Sequence, residues 1–122
     1  MKKTRIELDG AVTYGPYSPG ILSGPMVWLS GQIAPDAGDF KAQVQASLDK
    51  IDALLAAAGT SKHHATFVQV LLDDINDFAA LYEVYSKWLD GVAIPPARAA
   101  FEAGALPAHA LVEIVVQAVK PE

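Results

Sequence analysis

The sequence predicts an α+β fold: a mixed β-sheet with two helices packed on one face. Two observations carry this expectation. Residues 39–58 and 76–89 place apolar side chains at spacings of three and four, the period of an amphipathic helix, and short β-branched runs alternate with them. Two further β-branched runs then follow one another near the C-terminus with no helix-period segment between them. The length agrees. At 122 residues and 52% hydrophobic content the chain can build one substantial core, whereas two would leave each half undersized, so residues 1–122 are expected to form a single domain.

Taken in order, Thr4 to Leu8 and Val12 to Tyr14 read as edge strands, and Met26 to Ser30 as a stronger strand. Gly10 to Pro35 carries no charged residue, but its scattered glycines and prolines would break any spanning helix, so it is expected to be loop and strand rather than a membrane segment. Asp39 is placed to cap a helix running to about Ala58, in which Val44, Leu48, Ile51, Leu55 and Ala58 lay one apolar stripe against the sheet, and Gly59 is placed to stop it. His64 to Asp73 reads as a strand. A second helix from Asn76 or Asp77 to Leu89 carries Phe78, Leu81, Tyr85 and Trp88 on one face. The last two strands are Ala97 to Ala103 and Leu111 to Lys120, joined by a loop over 104–110.

The final strand has two unlike faces. Val112, Ile114, Val116 and Ala118 form a wholly apolar row, as expected beneath helices, and Leu111, Glu113, Val115, Gln117 and Val119 form a mixed one. The mixed row is too apolar for open water and too polar for a core. It predicts subunit contact with a site at its edge.

Composition narrows the function classes. Nine basic residues are scattered among fourteen acidic ones, for a net charge of −5, and no basic stripe emerges; nucleic-acid binding, which draws most of its affinity from Lys and Arg, is not expected. Cysteine is absent, which removes disulfides, thiolate catalysis and Cys-based metal sites. No apolar stretch follows Met1-Lys2-Lys3-Thr4-Arg5, so the start does not read as a secretory signal and a cytoplasmic protein is expected. His63 and His64 are adjacent, a spacing that points side chains apart on a strand, and His109 stands alone; no metal site is expected. The chain has neither a Gly-x-Ser-x-Gly elbow nor a phosphate-cradling glycine loop.

Chemistry points instead to Arg98, after Pro95-Pro96-Ala97, and to Glu113 inside Leu111-Val112-Glu113-Ile114-Val115-Val116. An ionised carboxylate in so apolar a strand needs a partner or a task. An Arg fork grips a carboxylate or phosphate, and a half-buried Glu can take and return protons, so the two sketch a pocket for a small anionic substrate undergoing acid–base chemistry. Taken alone, a strand Glu is more often an outward-facing residue of a half-exposed sheet.

The segments Gly15-Pro16-Tyr17-Ser18, Met26 to Ile33, Ala56-Ala57-Ala58-Gly59, Asn76 to Ala80, Pro96-Ala97-Arg98 and Ala110 to Ile114 fall in one order, and that order resembles the reactive intermediate deaminase family, RidA or YjgF, from about Gly15 to Val119. The resemblance implies a chorismate-mutase-like fold and a homotrimer with clefts between neighbouring subunits. It implies hydrolysis of reactive 2-enamine or 2-imine acids, of the 2-aminoacrylate and 2-iminopropanoate type, to 2-oxo acids and ammonia, with no metal or organic cofactor. Carried over residue by residue, Arg98 becomes the carboxylate clamp and Glu113 the water-positioning acid–base. Gly31 and Ala100 offer backbone N–H groups to substrate oxygens, Tyr17 is an aromatic lining residue and Ser30 a polar wall. Read without the family, Tyr17 is equally a core aromatic, Ser30 a strand-end cap and Gly31 a turn or bulge. The chain departs from the family at Tyr82, where Asn is common, at Ala99 and Ala100, where Ser, Thr or Cys follow the Arg, at Pro19, and at Ala108-His109. The rival functions are a non-catalytic small-molecule-binding trimer and an RNA-cleaving translation inhibitor, the second opposed by the acidic balance.

Overall fold

The computed structural model describes residues 2–13 and 15–122, which contain β1 (Lys3–Ile6), β2 (Gly20–Ser23), β3 (Met26–Leu29), α1 (Phe40–Ala57), β4 (Ala65–Leu72), α2 (Phe78–Trp88), β5 (Ala97–Glu102) and β6 (Val112–Val119). The strands form one mixed sheet in the order β1-β2-β3-β6-β4-β5, in which β4 and β5 are parallel and every other neighbouring pair is antiparallel. The expected α+β layer is therefore present. The chain runs through the β1–β2–β3 meander, crosses by α1 to β4 and by α2 to β5, and then returns β6 into the gap between β3 and β4. That insertion puts the strand bearing Glu113 at the centre of the sheet.

Each helix forms where its signals lie. The Asp39 carboxylate accepts the Ala42 N–H at 3.0 Å and caps α1. Gly59, at φ +85°, ends the helix, and Thr60 N–H closes onto Leu55 O at 2.9 Å. The α1 stripe of Val44, Leu48, Ile51 and Leu55 is fully buried, as is Leu81 of α2, with Tyr85 and Trp88 nearly so. They cover Val112, Ile114, Val116 and Ala118 of β6 and Val68, Val70 and Leu72 of β4, all without solvent exposure. Buried Gln43 uses both ends of its amide: Nε2 donates to Gly38 O, and Oε1 accepts from Leu111 N–H at 3.0 Å. This pins the entry of β6 against α1.

Two expectations about the N-terminal segment need correction. Val12 and Thr13 are not in a strand, because no neighbouring strand takes up their backbone groups, and Tyr14 lies outside the described residues. The missed element is β2, where Gly20 to Ser23 pairs with both β1 and β3. Gly20 sits at the tight crossing of these strands: a Cβ there would come within 2.8 Å of Leu29 Cδ2 and 3.2 Å of Ile6 Cβ. β4 also begins one residue later than expected, with His64 in a 3₁₀ turn beside His63.

Candidate active site

β3 ends at Leu29, yet the chain stays alongside β6 for three more residues. Gln32 and Ile114 exchange both backbone hydrogen bonds, at 2.9 and 3.1 Å. That bridge fixes Gly31 beside Glu113. A Cβ at Gly31 would lie 2.8 Å from the Glu113 carboxyl carbon and closer still to Oε2, so only glycine leaves the carboxylate its place. Gly31 is not among the residues with positive φ, so close approach rather than a turn is what requires glycine here.

Ser30 ties this strand end to the preceding loop. Its Oγ donates to Ser18 O at 2.6 Å and its N–H to Pro19 O at 2.9 Å. Arg5 holds the same loop from the other side, Nη1 donating to Ser18 Oγ at 3.0 Å and to Tyr17 O at 3.3 Å, while Nε pairs with Glu7. Tyr17 is thereby presented with 45% of its surface exposed, which removes the reading of it as a core aromatic. Tyr17, Ser30, Gly31 and Glu113 line one cavity of about 730 Å³. The β1–β2 loop, the start of α1's last turns at Lys50 and Leu54, and the Pro107-Ala108 turn complete the wall. Ala108 and His109 both take left-handed backbone conformations, at φ 54° and 57°, so the rim beside Glu113 is a strained turn.

Glu113 is half-buried, and this desolvation pushes its carboxyl above the ordinary carboxylate range. Among the described residues it has no ion-pair partner. The cation in the cavity wall, Lys50, instead donates from Nζ to Ile33 O at 2.7 Å. The carboxylate therefore meets the requirements of a general base: access, a fixed position and a raised proton affinity.

The remaining candidates stand elsewhere. Arg98 pairs in register with Val68, and Ala100 with Val70, which places both on the helix-bearing face, whereas Glu113 pairs with Leu71 on the open face. The Arg98 guanidinium lies over the rings of Phe78 and Tyr85, 5.3 and 5.5 Å from their centroids. Burial raises the Tyr85 phenol, and the guanidinium opposes that shift. Tyr82 follows Phe78 by four residues and precedes Tyr85 by three, so it shares their side of α2, with 59% of its surface exposed. The predicted residues thus divide into two groups, one around Glu113 and one around Arg98, and a single chain does not unite them. Sequence reasoning missed Arg5, Lys50, Leu54 and Pro107. Leu54, apolar yet one step round α1 from the core stripe, is the one among them with a signal to find it.

The family described as Endoribonuclease L-PSP matches residues 9–120. A RutC family protein of Pyrococcus horikoshii is 40% identical across 98% of this chain and 99% of its own, and TdcF of Escherichia coli, named as a candidate reactive intermediate deaminase, is 37% identical across 87% of this chain and 88% of its own. The chain belongs to the reactive intermediate deaminase family. Its fold agrees with the solved structure of E. coli TdcF with bound serine, at a TM-score of 0.91 and 33% identity over 97% of this chain and 99% of that one. The chain presents Glu113 and Arg98 on separate faces of its sheet.

Proposed function

We propose that this protein is a cytoplasmic deaminase of 2-enamine and 2-imine acids, of the 2-aminoacrylate and 2-iminopropanoate type, releasing 2-oxo acids and ammonia. The observation that carries the reading is Glu113: a desolvated carboxylate without a cationic partner among the described residues, seated against Gly31 at the floor of a cavity. Water adds its oxygen to the carbon of the protonated imine while Glu113 accepts the water proton. The same carboxyl then gives that proton to the amine of the resulting carbinolamine; the C–N bond breaks, ammonia leaves, and the C=O bond forms as the hydroxyl proton passes back to Glu113. Arg98 holds the substrate carboxylate, assisted by backbone N–H groups at Gly31 and Ala100. Tyr17 and Ser30 line the wall, and Tyr82 borders the Arg98 side. No cofactor takes part in this scheme.

Because Arg98 and Glu113 point from opposite faces, the complete site forms between subunits, with Glu113 from one and Arg98 from its neighbour, in a homotrimer. Support comes from the open face of the sheet, where Trp28 and Phe101 remain about half exposed beside Phe67, Leu71 and Val115. The test is a coupled assay in which an amino acid oxidase generates 2-iminopropanoate in place. Faster loss of the imine with this protein than without it is expected, and a rate equal to spontaneous hydrolysis would sink the proposal.

A further inference from the structure

We infer that Arg5 is a positioning residue for the candidate site: it holds the β1–β2 loop so that Tyr17 stays in the cavity wall, an inference that rests on the function proposed above. The loop has little with which to hold itself. Between Ile6, which ends β1, and Gly20, which begins β2, no strand or helix forms among the described residues, and Pro16 and Pro19 have no backbone N–H to give. Its last three carbonyls take their donors from outside. Tyr17 O accepts from Arg5 Nη1 at 3.3 Å, Ser18 O from Ser30 Oγ at 2.6 Å and Pro19 O from the Ser30 N–H at 2.9 Å. Arg5 Nη1 also donates to Ser18 Oγ at 3.0 Å, so β1 through Arg5 and the residue after β3 through Ser30 grip the loop where Tyr17 lines the cavity.

Arg5 suits this task through the shape of its guanidinium. The Glu7 carboxylate fixes Nε at 2.8 Å while Nη1 reaches the loop, and an ammonium has no planar fork with which to hold Glu7 and two loop oxygens together. All these bonds lie within one chain and do not depend on a neighbouring subunit. Arg5 does not itself line the cavity, and Glu113 is placed by Gly31 and the Gln32–Ile114 bridge, in which Arg5 has no part. Losing Arg5 therefore loosens Tyr17 and leaves the carboxylate where it was, so substrate and transition state lose the same contact.

The test measures kcat and KM on 2-iminopropanoate, and the Kd of the stable product pyruvate, for Arg5→Ala and Arg5→Lys in the parent and in a Tyr17→Ala background. Arg5 and Glu7 are about half exposed, which limits the hold to a few-fold effect. Arg5→Ala should raise KM and the pyruvate Kd roughly three- to tenfold, with kcat and the pH inflection of kcat/KM unchanged, and Arg5→Lys should fall between it and the parent. In the Tyr17→Ala background the loss of Arg5 should add less than about twofold, because the residue it positions is gone. An unchanged KM, a fall in kcat alone, or an equal cost with and without Tyr17 overturns the inference and leaves Arg5 a strut of the fold. If the parent hydrolyses no imine, the deaminase reading fails alone should pyruvate binding still depend on Arg5 through Tyr17; without that dependence, both fail.

Discussion

Glu113 was visible in the sequence because a carboxylate interrupts an otherwise β-branched run, and its burial follows from the same pattern. What the pattern could not provide is the contact with Gly31, which depends on the Gln32–Ile114 bridge and so on a pairing between residues far apart in the chain. Two predictions belong to this pair. Desolvation raises the Glu113 carboxyl in the folded state, so the stability tied to its protonated form is fully present below the unfolded carboxylate value, near 4.3, and is lost as pH rises through the raised folded value. Glu113→Gln removes that loss. The difference in Tm between variant and parent should be small at about pH 4 and grow in the variant's favour towards neutrality, as thermal scans across this range will read. Turnover should fall by roughly 10²–10⁴-fold in the same variant, and the parent's kcat/KM should rise with pH through an inflection above the usual Glu range. Gly31→Ala is the second. Its backbone tolerates alanine, but the new methyl takes space that the carboxylate occupies, so Glu113 must move. A shift near 1 Å costs about 10²-fold in rate, and steady-state kinetics on a folded variant should show it, with Tm lowered by only a few degrees.

At the scale of elements, the helices were the legible part. Their apolar periods and the Asp39 and Gly59 signals survive into the structure because local propensity and core packing demand the same residues. β2 was not legible. Gly20-Ile21-Leu22-Ser23 has no alternation strong enough to announce a strand, and it becomes one only because β1 and β3 flank it on both sides. Arg98 shows the same limit from the other direction: its chemistry was apparent, but its face was not, because that depends on the parallel register with β4. Its position over Phe78 and Tyr85 has a measurable consequence. A guanidinium stacks flat on rings and then grips a carboxylate through two N–H groups, and an ammonium does neither as well. Arg98→Lys should therefore raise KM and lower kcat, while Arg98→Ala should abolish turnover; both should fold, since among the described residues no carboxylate is left unpaired by the loss. A large fall in Tm for Arg98→Ala would instead make the stacking a structural strut. Tyr82, exposed on the same side of α2, bears on selectivity: Tyr82→Asn should alter the relative rates on short and long imines with little change in stability, and unchanged ratios would remove it from the site.

At the scale of the whole molecule, the two faces of β6 were read from the sequence and appear as expected, one row without exposure under the helices and the other half-exposed. The number of subunits was never in that pattern; it came from resemblance alone. Sedimentation equilibrium at micromolar concentration should return three times the 12.9 kDa chain mass. The stronger test exploits the division of the site between faces. In a cyclic trimer each cleft joins unlike edges of two subunits, so a cleft can receive an intact Glu113 from one chain and an intact Arg98 from the next. Glu113→Gln and Arg98→Ala should each be inactive alone. Unfolded together in equal amounts and refolded, they should form mixed trimers in which about a quarter of the clefts have both native residues by random assortment, restoring about that fraction of parental activity. Mixing without unfolding should restore less, in step with subunit exchange. If each chain instead carried its own complete site, no mixture of the two variants would recover any activity, and the separation of Arg98 and Glu113 across the sheet would need closure by movement within one chain.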